Sequence, residues 1–74
     1  MRLEEGKLIL TEAELACVKR ANLNASPTVA GMFLLNYLKS GGLAEDLEHE
    51  EHDVSVRFYA ECIQAYRRKS YEVM

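Results

Sequence analysis

Two histidines and several carboxylates lie close together in an acidic segment in the second half of the chain. Glu45, His49 and His52 are spaced four and three residues apart, so on a helix they would share one face and could converge on a metal ion. A zinc site needs three or four well-placed ligands and a supporting shell of hydrogen bonds. The segment offers little besides acidic residues, so we predict a solvated linker, with no metal and no cofactor.

The two cysteines are the other residues whose chemistry could matter. Cys17 and Cys62 lie far apart, form no CxxC pair, and each falls within a helical apolar pattern, which is typical of small buried hydrophobic residues. We expect reduced, structural cysteines, and a disulfide between the first and third helices remains an alternative. A Cys–His pair is the only nucleophile–base combination, and buried cysteines would not meet exposed histidines. We therefore predict that the protein is not an enzyme.

Length and composition limit the class of protein. The chain has 74 residues, of which 49% are hydrophobic, so a single globular domain is expected. The net charge of −3 argues mildly against a general nucleic-acid binder. Neither a secretion signal nor an apolar run long enough to span a bilayer is found, which predicts a soluble, cytoplasmic protein with no membrane association.

The first third of the chain predicts an arm followed by a helix. Positions 1–10 are expected to form an extended arm with a turn at Glu5-Gly6, although Lys7–Leu10 could be a short strand if it had a partner. Thr11 and Glu14 form a capping box, in which each side chain binds the other residue's amide. Helix 1 is therefore predicted over about 12–21.

The strongest helix signals surround positions 27–40. Ser26-Pro27 is a typical start and Gly41-Gly42 a typical stop, so helix 2 is predicted between them. The acidic connection covers 41–53, where Leu43 and Leu47 could form a short extra helical turn. Helix 3 is predicted over about 54–71, with a strand over 54–59 as the alternative reading. The predicted fold is all-α, a small three-helix domain with an N-terminal arm.

Helix 2 is apolar almost all round, which predicts that it is buried against another chain as well as its own. The function expected from this surplus is a non-catalytic protein-binding module, such as an adaptor, inhibitor or regulatory subunit, that forms a homodimer. The predicted interface consists of Gly31, Met32, Leu34, Leu35 and Leu38.

A small DNA-binding transcriptional regulator is the alternative. The segment 21–29 resembles the turn and second-helix start of a helix-turn-helix, and 11–15 resembles the start of the first helix. The recognition positions would then be apolar, so nucleic acid or another anion would have to be bound by the basic residues of helix 3. The candidate contacts are Arg57, Arg67, Arg68 and Lys69.

Overall fold

The computed structural model describes residues 1–23, 25–43 and 52–74, and for 52–54 it describes the backbone only. The elements in chain order are β1 (Arg2–Glu4), β2 (Lys7–Leu10), α1 (Glu12–Ala21), α2 (Pro27–Ser40), α3 (His52–Arg67) and β3 (Tyr71–Val73). None of the described helices is long and apolar enough to cross a membrane.

The all-α prediction is wrong because the two ends of the chain form a three-stranded mixed sheet in the order β1-β2-β3. The Lys7–Leu10 segment, predicted as an arm, is the central strand. It pairs antiparallel with β1, where Leu3 lies opposite Leu8, and parallel with β3, where Tyr71 lies opposite Leu8. Both partners are three-residue strands, which are too short to show an alternating pattern of their own.

The predicted turn at Glu5-Gly6 is confirmed and joins β1 to β2. Glu5 has a φ of 52° and Gly6 a φ of 79°, so both central residues are in the positive-φ region. A type I′ turn requires positive φ at both central residues, and it suits a hairpin because its twist matches that of the flanking strands. The turn therefore creates a hairpin where an arm was expected.

Side chains alternate between the two faces of the sheet, and Ile9 is an apolar, buried residue on the otherwise charged outer face. Leu8 and Leu10 are fully buried on the inner face, against the helices. The outer face carries ion pairs between Arg2 and Glu4, at 3.0 Å, and between Lys7 and Glu72, at 3.8 Å. The inner face thus contributes to the core, and the outer face exposes charged residues on either side of the buried Ile9.

The capping box predicted for α1 is present. The Glu14 amide donates to Thr11 Oγ1 at 3.2 Å, and the Thr11 amide donates to Glu14 Oε1 at 2.8 Å. The ammonium of Met1 donates to the other carboxylate oxygen of Glu14. Burial alone would raise the pKa of Glu14, but these hydrogen bonds and the positive charge of Met1 outweigh it, so the pKa lies below its usual value.

The predicted limits of α2 are also observed. The Val29 amide donates to Ser26 Oγ at 3.3 Å at the start of the helix. At the end, Gly42 has a φ of 71° and the Leu43 amide donates to the Leu38 carbonyl at 2.8 Å. This is the left-handed helix ending that favours glycine.

Residues 54–59, for which a strand was the alternative, are part of α3. The helix ends at Arg67, four residues before the predicted end at 71. The Ser70 amide donates to the Ala65 carbonyl at 2.9 Å, while Lys69 has a φ of 60°. This is the same type of ending as in α2, with lysine at the position where glycine is usual, so no sequence signal marks it. The predicted extra turn around Leu47 lies outside the described residues.

Helices α2 and α3 form the centre of the core and approach each other closely at Gly31. A Cβ atom placed on Gly31 would lie 2.7 Å from the Ala60 amide nitrogen and 3.1 Å from the carbonyl carbon of Tyr59. Since both atoms belong to the backbone of α3, a side-chain rotation cannot make room. Only glycine permits this separation of the two helices.

We therefore predict that Gly31→Ala destabilises the protein, even though alanine is the better helix former. The backbone overlap should lower the free energy of unfolding by about 2 kcal/mol, as overpacking of a core does. Urea denaturation followed by circular dichroism measures the change. Gly41→Ala is the control, because a Cβ there would lie 3.4 Å from the nearest atom, the Tyr37 carbonyl oxygen. Equal stability of Gly31→Ala and the wild type would contradict the close approach.

Candidate functional site

Most of the interface predicted on α2 lies inside the chain's own core. Leu34, Leu35 and Leu38 are at most 2% exposed, and Gly31 is buried against α3. Met32 is the exception, with 44% of its surface exposed. The predicted interface residues other than Met32 therefore pack within the chain, and a charged substitution such as Leu35→Lys would disrupt the core.

Helix α3 and the sheet supply the apolar surface that covers this side of α2. Tyr59, Cys62, Ile63 and Ala65 are at most 3% exposed and belong to the same buried cluster as the α2 leucines. The sheet adds Leu8 and Leu10 to this cluster. Together they cover the side of α2 that was expected to need a second chain.

The exposed side of α2 still carries three large apolar residues, which we call the α2 face. Val29, Met32 and Phe33 are 42%, 44% and 39% exposed. Their spacing of three and four residues places them on one side of the helix. No charged residue occurs between positions 27 and 38, and the exposed polar residues in this stretch, Thr28 and Asn36, are uncharged.

Aromatic stacking extends the α2 face towards α1. The rings of Phe33 and Tyr37 are stacked, with centroids 6.3 Å apart and an interplanar angle of 18°. The guanidinium of Arg20 lies over the Tyr37 ring, 4.4 Å from its centroid. A cation in this position holds an aromatic ring by attraction to its π face. Arg20 therefore forms a polar rim on one side of the apolar surface.

Among the candidate anion contacts, Arg67 has a structural role. Its Nε donates to Asn22 Oδ1 at 2.8 Å, and its Nη2 donates to the carbonyls of Leu23 and Ala25 at 3.1 and 2.8 Å. The side chain thus ties the end of α3 to the α1–α2 connection. Sequence gives no sign of this role, because the partners lie more than 40 positions earlier in the chain.

The other basic residues do not form a continuous stripe. Arg57 is exposed on α3, and Arg68 is exposed just beyond the end of the helix, eleven residues later. Glu61 is exposed about one turn after Arg57 on the same side of α3 and interrupts the positive charge.

Lys69 belongs to a different surface, which we call the β3 groove. It is an open groove lined by Asn22, Tyr66, Arg67, Lys69 and Tyr71. The rings of Tyr66 and Tyr71 are 5.1 Å apart and tilted by 38°. The groove therefore combines two aromatic rings with two cations, at the point where α3 passes into β3.

The predicted histidine and carboxylate cluster falls outside what the structure describes. Glu45 and His49 lie in 44–51, and only the backbone of His52 is described. Within the described residues, no group of three or more His, Cys, Asp or Glu side chains could hold a metal ion.

Both cysteines are free thiols, and they differ in exposure. Cys62 is fully buried, and desolvation raises the pKa of its thiol to about 12. Cys17 is half-buried on α1. A thiol that stays protonated at neutral pH is a poor nucleophile, so Cys62 acts as a core residue.

Comparison of the chain with protein-family models, curated proteins and solved structures finds no match. Function is therefore inferred from the surfaces that the fold leaves exposed, the α2 face and the β3 groove.

We predict that Arg67→Gln destabilises the protein by about 1–2 kcal/mol, because three hydrogen bonds to the α1–α2 connection are lost. The matched control is Arg68→Gln, which removes the same charge from the neighbouring exposed residue and should change the stability by less than about 0.5 kcal/mol. Chemical denaturation of both variants provides the comparison. If the two variants were equally stable, Arg67 would not hold the connection in place.

We also predict that Cys62 does not react with Ellman's reagent in the folded protein. With the pKa raised to about 12, only about one molecule in ten thousand carries the Cys62 thiolate at pH 8, and burial shields it further. The Cys17→Ser variant isolates this thiol. Its labelling should be slow in buffer and immediate in denaturing urea. Rapid labelling in buffer would show that Cys62 is accessible.

Proposed function

We propose that the protein is a small, non-catalytic protein-binding module that forms a homodimer through the α2 face. The observation that carries the proposal is the set of three large apolar side chains, Val29, Met32 and Phe33, that are each about two-fifths exposed on one helix. Large apolar and aromatic side chains close together on a surface are typical of the energetic centres of protein interfaces.

The absence of charge from the α2 sequence between positions 27 and 38 favours a second copy of the chain as the partner. The three side chains of the α2 face carry no charge, so two copies can meet through them without bringing like charges together, while Arg20 stays at the rim over Tyr37. If the α2 helices of two copies pack antiparallel, with the two-fold axis between Met32 and Phe33, each Met32 packs on the partner's Phe33. The contact is then the same on both chains, as two-fold symmetry requires.

Two features of the cysteines fit a non-catalytic protein in a reducing compartment such as the cytoplasm. Both cysteines are free, which suits a reducing compartment. Cys62 is fully buried, and desolvation raises the pKa of its thiol, so it is a core residue and a poor nucleophile.

The DNA-binding alternative has weaker support from the geometry. The exposed positions of α2 that would face a groove include Met32 and Phe33, which present neither donors nor charge to base edges. Arg67 already donates three hydrogen bonds within the chain. A binding titration with duplex DNA at low salt tests the alternative, since phosphate contacts would give affinity that falls steeply as salt rises.

Sedimentation velocity over a range of concentrations tests the homodimer. We expect the wild type to dimerise at tens of micromolar, and Met32→Lys to raise the dissociation constant at least about tenfold, because a charge would be buried at the centre of the interface. The control is Leu43→Lys, which introduces the same charge at an apolar residue that is 40% exposed but lies beyond the end of α2.

A wild type that stays monomeric at these concentrations would contradict the proposal. So would an equal loss of dimer in Met32→Lys and Leu43→Lys, since that result would reflect net charge rather than the α2 face. Circular dichroism of each variant shows whether its helices are retained.

A further inference from the structure

The free edge of β3 presents backbone groups that are available for another strand. The Leu8 amide donates to the Ser70 carbonyl at 2.9 Å, and the Met74 amide donates to the Leu10 carbonyl at 2.8 Å. In a parallel pair with this register, the N–H and C=O of Glu72 also face β2, whereas those of Tyr71 and Val73 face away from it. No described residue pairs with these outward groups.

The β3 groove lies next to this edge. Tyr71 is both the first residue of β3 and part of the groove lining, and none of the lining residues comes from β1 or β2. Tyr71 and Val73 share the inner face of the sheet, as shown by their register with the buried Leu8 and Leu10. A side chain on an added strand opposite Tyr71 would therefore point into the groove.

The groove contains two cations that are able to bind a carboxylate. Lys69 is exposed and forms no ion pair within the described residues. Arg67 uses Nε and Nη2 for its bonds to the α1–α2 connection, which leaves Nη1 outside those bonds. Held in this way, the guanidinium loses little further freedom when it binds an anion.

We propose that the β3 edge binds an extended peptide of a partner protein that carries an acidic side chain opposite Tyr71. The peptide adds a fourth, antiparallel strand to the sheet, and its backbone bonds to the outward groups of Tyr71 and Val73. Its carboxylate lies in the β3 groove beside Lys69. In such complexes the backbone bonds give affinity and the pocket gives specificity. This site is separate from the α2 face and does not depend on the homodimer.

Glu72 argues against a second copy as the occupant of this edge. In an antiparallel β3–β3 pair centred on Glu72, the two Glu72 side chains would lie directly opposite each other on the outer face. Like charges in that position destabilise a pair of strands. A charged residue on a short edge strand is also a common protection against pairing between identical sheets. A peptide with a neutral or basic residue opposite Glu72 avoids the repulsion.

Fluorescence polarisation with a labelled peptide, Thr-Val-Lys-Glu-Thr, tests the proposal. Its Val, Lys and Glu residues are placed opposite Val73, Glu72 and Tyr71 respectively. Two control peptides are used: one carries an N-methyl group on the Glu amide, which removes a strand hydrogen bond, and the other replaces Glu with Gln. The protein variants are Lys69→Asn, which suits the positive φ at that position, and Arg68→Gln, which removes a charge outside the groove lining.

We expect the peptide to bind the wild type, N-methylation to abolish binding, and both Lys69→Asn and the Gln peptide to weaken it by up to about fivefold. Arg68→Gln should leave the affinity unchanged. The proposal is overturned if the parent peptide does not bind at millimolar concentration, or if N-methylation has no effect. It is also overturned if Arg68→Gln weakens binding as much as Lys69→Asn, because the attraction would then be non-specific.

Discussion

The close approach of α2 and α3 at Gly31 and Ala60 is the constraint on which the rest of the structure depends. With 2.7 Å between a Cβ on Gly31 and the Ala60 amide nitrogen, the two helices pack backbone against backbone. This contact turns Leu34, Leu35 and Leu38 towards Cys62 and Ile63 in a common core. The same contact fixes which side of α2 stays exposed, so it also determines where a partner could bind.

The position of α3 then determines how the chain ends come together. Arg67 ties the last turn of α3 to the α1–α2 connection, and the left-handed residue Lys69 redirects the chain into β3. Because β3 pairs with β2, the hairpin at the start of the chain is held by the residues at 71–73. A small domain with a thin core gains stability when distant segments are joined in this way, and the edge of β3 is left free for another strand.

Local signals in the sequence predict much of the helical framework, and contacts between distant residues account for what they miss. The capping box of Thr11 and Glu14 and the Ser26-Pro27 and Gly41-Gly42 signals mark the ends of α1 and α2, because these motifs satisfy backbone groups near each helix end. The sheet was not predicted, because its outer strands are only three residues long and β3 pairs with β2 from the opposite end of the chain. Periodicity showed that α2 has two apolar sides, but only the packed structure shows that α3 covers the side with Leu35 and leaves Met32 exposed.

The two sides of α2 therefore have different roles: one forms the core, and we propose that the other meets a second copy. Isotope-filtered NOE spectroscopy on a mixture of labelled and unlabelled protein tests this division most directly, because it separates contacts between chains from contacts within one chain. The account predicts intermolecular NOEs between the Met32 methyl group and the Phe33 ring, and only intramolecular NOEs from Leu34 and Leu35 to α3. Intermolecular NOEs from Leu34 or Leu35, or none from Met32 at millimolar protein, would contradict it.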